Sequence, residues 1–147
     1  LTEDLKKIDT RTSIENLQKL AQEAVRPYPL KVWFEEGCMS LSGPATAALR
    51  AIEKGEKGSE IALGTLHAIA KGLYHTISHL CAVHKLTEVL FVGGVSANLY
   101  IRKELRTHLS GKGIALLTAD PICSTDGAIG NAWLGVLKER GNAHDLR

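Results

Sequence analysis

The feature that most constrains the fold is the segment Glu88-Val-Leu-Phe-Val92, whose four apolar residues follow Glu88, are stopped by Gly93 and Gly94 and are followed at once by helix-forming sequence. A short, continuously apolar, β-rich run of this kind reads as a strand covered on both faces. A helix is expected from about Ala97 to Leu109, then a second strand, Ile114 to Thr118, after the Gly111/Gly113 turn. A last helix is expected from about Ala128 to Lys138. Upstream, Leu63, Leu66, Ile69, Ala70, Leu73, Ile77 and Leu80 recur at helical spacing and predict a long helix from Ile61 to His84. Helix, strand, helix, strand, helix in that order implies an α/β domain with a parallel sheet.

Only a few parallel strands are visible among several helices. A parallel pair needs cover for its outer edge, so further strands are expected from an N-terminal lobe outside this chain or from a second copy, with homo-oligomerisation a natural outcome. The chain opens at Leu1 rather than Met, in keeping with a piece of a longer protein. Residues 1–60 read as a helical and loop segment and residues 61–147 as the helix–strand core. In the first part, residues 4–25 have helical spacing with Ser13 as N-cap, and Pro27 and Pro29 end that helix. KVWFEEG reads as an extended segment, CMSLSGP as a loop, and residues 44–54 as a helix with Pro44 in its first turn.

Composition narrows the class. With 147 residues, 44% of them apolar and 23% charged, the chain can bury a core. A net charge of +2 with scattered basic residues marks no dedicated nucleic-acid surface and leaves RNA open as a partner. No apolar run reaches the roughly 20 residues of a membrane-spanning helix, and no leader pattern is seen, so no membrane partner is expected. Cys38, Cys81 and Cys123 are too few and too scattered for a disulfide framework or zinc knuckle, which fits a reducing, cytoplasmic setting.

Three segments carry candidate chemistry. In VLFVGGVSANLYIRKEL, Gly93 and Gly94 let a flat ligand approach the main chain, and the free N–H groups of the following helix start favour anionic or polar groups. Asn98 can donate and accept at once, which suits a ribose or an adenine edge. The same residues also suit an ordinary strand-to-helix turn capped by Ser96. In DPICSTDGAIGNAW, Asp126 is either an N-cap or a carboxylate that holds a metal ion on phosphates. SLSGPAT, with Ser40, Ser42 and Gly43, either lies against a ligand or makes a plain capping turn. The first two segments both follow the C-terminal ends of strands, where open parallel sheets bind ligands. His75 and His79 stand four apart on one helix, yet zinc needs more ligands than they provide, and packing or solvated roles suit them better.

LFVGGVSANLYIRKELRTHL followed by DPICSTDGAIGNAWLG resembles the C-terminal part of the TsaD family, long labelled O-sialoglycoprotein endopeptidase or glycoprotease, and SLSGPATAALRAIEKG is similar to that family's Ser-Phe-Ser-Gly-Leu-Lys-Thr block. The three blocks keep the family's order and spacing from about Ile14 to Gly135, GGVSAN being the most specific. The resemblance implies part of an actin-like ATPase lobe (the sugar kinase, Hsp70 and actin type). It also implies a role in making threonylcarbamoyladenosine on transfer RNA, by transfer of a threonylcarbamoyl group from its adenylate to an adenine amine. It further implies an adenine nucleotide and a divalent metal (iron, zinc or magnesium) in the full-length form, with other tRNA-modification proteins as partners. By position, Gly93 and Gly94 would floor the adenylate, Asn98 would contact its nucleoside, Ser40, Ser42 and Gly43 would line the cleft, and Asp126 would ligate the metal. Pro44 and Ala45 depart from the family's Leu-Lys, and Ser124-Thr125-Asp126-Gly127 departs from its Cys-Thr-Asp-Asn. The family's histidine ligands and phosphate loop belong to an N-terminal lobe that this sequence does not contain. The nucleotide-binding fragment is therefore expected to be inactive alone, or else to come from a diverged, non-catalytic paralogue that acts as a nucleotide-binding or protein-interaction subunit. The sequence has no Ser/His/Asp or Cys/His arrangement that would support proteolysis.

Overall fold

A computed structural model describes residues 10–120 and position 136, with side chains from residue 15 onward; the expected Asp126 loop and final helix lie outside the described residues. The described elements are α1 (Thr10–Gln22), β1 (Trp33–Glu35), β2 (Cys38–Ser40), α2 (Ser42–Glu53), α3 (Gly58–His84), β3 (Glu88–Phe91), α4 (Leu99–Ser110) and β4 (Ala115–Thr118). A single 3-10 turn, Gly94–Ala97, joins β3 to α4.

The α/β reading holds. β3 pairs with β4 in parallel, Glu88 opposite Ala115 through Phe91 opposite Thr118. Among the described residues one face of β3 is covered: Val89 and Phe91 face the helices, while Leu90 is 65% and Leu117 49% exposed on the other face.

α3 is the spine, and its pattern explains why it begins three residues earlier than its apolar stripe suggests. Small residues mark where neighbours come closest. A Cβ on Gly64 would strike the backbone carbonyl of Tyr28, and one on Gly72 would lie 2.6 Å from Met39 Sδ. The Tyr28 N–H donates to the Glu60 carbonyl at 2.8 Å, which pins the segment after α1 against the first turn of α3. Lys85, in the left-handed region at φ 54°, ends the helix, and the Leu86 N–H closes on the Cys81 carbonyl at 2.9 Å. Leu66 and Ala70 of the expected stripe are buried and Leu63, Ile69, Leu73 and Ile77 pack around them, whereas Leu80 is exposed. α4 contributes Ile101, Leu105 and Leu109 to the same core, one residue per turn of its buried face.

Two local expectations are corrected. Ser13 falls inside α1 rather than at its start. CMSLSGP is not all loop: Cys38–Ser40 is a strand that pairs antiparallel with β1, Trp33 opposite Ser40 and Glu35 opposite Cys38. The two-residue connection, Glu36 at φ 46° and Gly37 at φ 82°, is positive at both positions, the geometry that matches strand twist in a tight hairpin. Among the described residues no helix is long and apolar enough to cross a membrane.

Candidate functional site

β3 delivers its chain to Gly93, whose φ of 97° and ψ of 173° belong to glycine alone. A Cβ added at Gly93 or at Gly94 would meet no atom of the described residues within 4 Å, at the C-terminal end of the parallel pair. Ser96 turns the other way. It is fully buried, and its hydroxyl donates to the Gly93 carbonyl at 2.8 Å, bracing the turn from beneath. Asn98 is the N-cap of α4: its Oδ1 accepts from the Ile101 N–H at 3.0 Å. Asn98 is only 3% exposed, and its Nδ2 has no acceptor among the described residues. A buried amide donor without a partner is costly, and most native ones are satisfied.

The expectation of free N–H groups at the α4 start needs correction. The Leu99 N–H donates to Gln18 Oε1 of α1 at 3.2 Å, and that of Ile101 is taken by Asn98. The first turn therefore offers less to an anion than sequence reasoning allowed, and the open backbone at Gly93 and Gly94 becomes its more accessible feature.

The second group sits on β2 and α2. Ser40 Oγ and Ser42 Oγ lie 2.8 Å apart, and the residue at the N-cap, Leu41, makes no side-chain cap bond. The two serines therefore pair with each other at the mouth of the helix and leave it uncapped. Ser42 and Gly43 are exposed and line an open groove of about 520 Å³ together with Tyr28, Thr46, Arg50 and Lys54. Among the described residues no carboxylate lines this groove.

Ser40 and Ser42 are brought together, and so are Gly93, Gly94, Ser96 and Asn98. No hydrogen bond or ring contact among the described residues joins the two groups. Each is held against α3 instead. The β1–β2 hairpin packs on Gly72, His75 and His79, and α4 meets His67 and Tyr74, with Tyr100 Oη 3.3 Å from His67 Nδ1 and the Tyr74 and His108 rings 5.3 Å apart. Burial, aided by Glu104, raises the Tyr100 phenol above its ordinary value.

His75 and His79 are packing residues: Phe34 stacks on His75 at 5.3 Å and meets His79 edge-on at 6.1 Å. Burial, then Lys71 and Lys112, pushes the His75 pKa down and favours the neutral ring. Among the described residues no group of three or more His, Cys, Asp or Glu side chains is placed to hold a metal ion.

Sequence reasoning missed Arg102. Its guanidinium is nearly buried and donates to the carbonyls of Ser96 and Ala119 (2.8 Å to the latter) and to Thr118 Oγ1 at 3.4 Å. The available signal was slight: a charged residue beside Ile101 on the apolar face of α4, with no acidic partner one turn away.

Residues 9–131 match the family described as carbamoyltransferase, Kae1-like domain, second subdomain. The chain is 27% identical over 121 residues to a tRNA N6-adenosine threonylcarbamoyltransferase of Methanopyrus kandleri, covering 82% of this chain and 35% of that protein. It is 29% identical over 126 residues to a probable bifunctional tRNA threonylcarbamoyladenosine biosynthesis protein of Methanocaldococcus jannaschii, covering 84% of this chain and 23% of that one. The chain thus spans about a third and about a quarter of these relatives.

Proposed function

The chain belongs to the carbamoyltransferase, Kae1-like domain family, as its second subdomain, and on that footing we propose that it forms one wall of an actin-like, adenylate-binding cleft in a larger cytoplasmic protein of tRNA threonylcarbamoyladenosine formation. The observation that carries the reading is the bare main chain at Gly93 and Gly94, open above and braced by Ser96 below, beside the unpartnered Nδ2 of Asn98. An adenine-bearing ligand supplies a flat face for the glycines, and it takes a donor from Asn98 once the buried amide turns outward.

In this reading Gly93 and Gly94 are the floor and Asn98 donates to the nucleoside. Ser40, Ser42 and Gly43 line the second wall, where Arg50 and Lys54 in the same groove suit the phosphate of an anionic ligand. Asp126, outside the described residues, is proposed as one carboxylate ligand of a divalent ion. One carboxylate does not hold an ion tightly, so the remaining ligands must come from the rest of the protein. When bound, the ion would neutralise charge on the adenylate phosphate. The reaction joins the carbamoyl carbon to the adenine amine of the transfer RNA and breaks its bond to the phosphate oxygen, with AMP as leaving group. The task of this chain is to hold the adenylate still while the amine arrives.

The remainder of the cleft is assigned to the N-terminal lobe, or to a second copy of the chain, with other tRNA-modification proteins as further partners. Ala45 and Gly127, which depart from the sequence blocks the chain otherwise resembles, favour a second reading in which the cleft binds nucleotide without transferring anything. A threonylcarbamoyl-transfer assay separates these. No turnover is expected from the 147 residues alone, and turnover is expected once the N-terminal lobe is supplied. Turnover by the isolated chain refutes the half-cleft reading, and binding without turnover in the complete protein supports the second.

A further inference from the structure

We propose that Arg102 is the positioning residue that fixes the glycine turn against the end of β4, so that the turn and the first residues after β4 move as one body. The inference deepens the adenylate reading, on which its functional consequence rests. Its geometry stands apart from that reading.

β3 and β4 are paired only as far as Phe91 and Thr118. Beyond that point the sheet offers no further ladder bond between the two chains as they diverge, one into Gly93 and Gly94, the other into Ala119 and Asp120. Arg102 bridges the gap. From the first turn of α4 its Nε donates to the Ser96 carbonyl, its Nη2 to the Ala119 carbonyl at 2.8 Å and its Nη1 to Thr118 Oγ1 at 3.4 Å. A planar guanidinium is suited to this task because its donors point in several fixed directions at once. The side chain is only 9% exposed, and a buried cation among carbonyl dipoles holds its partners more stiffly than a hydrated one.

The Ser96 carbonyl belongs to the turn that carries Gly93, Gly94 and Asn98. Ala119 opens the stretch that leads to the proposed metal ligand. The bridge thus sets the separation of the glycine turn from Ala119 at the end of β4. Lysine keeps the charge but presents its donors from one point and does not span both carbonyls.

The test is hydrogen–deuterium exchange on the full-length protein that contains this chain, with ATP as the binding probe, comparing wild type, Arg102→Lys and Thr118→Val. In Arg102→Lys, amides of 94–98 and of 119–120 should both exchange about tenfold faster while those of α3 keep their protection, and the ATP Kd should rise about tenfold. Faster exchange confined to α4, or wild-type protection in both turns, overturns the proposal. If Arg102→Lys does not fold, Thr118→Val decides: acceleration at 119–120 together with a smaller one at 94–98 supports the bridge, and unchanged exchange at 94–98 overturns it. If the wild-type protein binds no ATP, the adenylate reading fails, and the exchange pattern still decides the bridge by itself.

Discussion

Replacing Gly94 with alanine separates the cost of folding from the cost of binding. Gly94 starts the 3-10 turn with no positive φ, and a Cβ there meets nothing within 4 Å. Folding should therefore tolerate Gly94→Ala, with a change within about 0.5 kcal/mol or a small gain from the stiffer unfolded chain. Binding should not. A base lying on bare backbone sits at ordinary contact distance, about 3.5–4 Å, which is where the new methyl would project. Crowding of that kind costs about 1–2 kcal/mol, which weakens the nucleotide Kd by about 5- to 30-fold. Gly93→Ala is the contrasting control. At φ 97° and ψ 173° an L-residue is strained by about 1–3 kcal/mol, so stability and binding should fall together. Thermal unfolding and ATP titration of the full-length protein read both quantities. A Gly94→Ala protein that melts and binds like wild type would falsify the claim that the ligand lies on this turn.

Other substitutions probe the remaining parts. Asn98→Ala should cost about 1 kcal/mol through loss of the α4 cap and should also weaken ATP binding. Asn98→Ser should restore most of the stability without restoring affinity, because it returns the cap oxygen and not the amide; equal recovery of both would reduce Asn98 to a cap. Gly64→Ala should destabilise by about 1–3 kcal/mol in urea unfolding, against the gain of roughly 1 kcal/mol that helix propensity alone suggests, since the methyl meets the Tyr28 backbone. Gly72→Ala should cost less, because Met39 can move aside. The His75 pKa is lowered by burial, then by Lys71 and Lys112. The unfolded chain therefore takes up the proton first, and this contribution to stability is whole above the unfolded value of 6.5 and declines as pH falls below it. Unfolding midpoints compared between about pH 8 and about pH 5.5 should drop less in His75→Gln than in wild type.

The elements that could be read from sequence are those whose pattern is local. β3, α4 and β4 stand within a residue or two of their expected bounds, glycines marking the end of β3, the end of α4 and the start of β4, although the α4 cap is Asn98 and not Ser96. The β1–β2 hairpin escaped because its signal is conformational: Glu36 takes a positive φ that its type does not advertise, and only Gly37 hints at the turn. The start of α3 was obscured for a related reason, since Gly58 and Ser59 look like a break, yet the Ile61 N–H bonds the Lys57 carbonyl across them and the Tyr28 N–H closes on Glu60. At the site, Gly93, Gly94 and Asn98 were legible from the strand that ends there. That the α4 N–H groups are taken was not legible, because Gln18 reaches Leu99 across 81 residues. Arg102 was hidden likewise, its partners at 96 and 118–119 having no sequence relation to it.

The arrangement around α3 bears on the width of the proposed cleft. Residues 72, 75 and 79, which seat the hairpin side, and residues 67 and 74, which seat α4, lie on different faces of one helix at 100° per residue. The gap between the serine pair and the glycine turn is therefore gauged by the girth of that rod. In the proposed cleft, a larger residue at the buried Ala68 would widen that gap without altering either lining. Ligand size in the proposed cleft would thus be tuned from a position that lies in neither group.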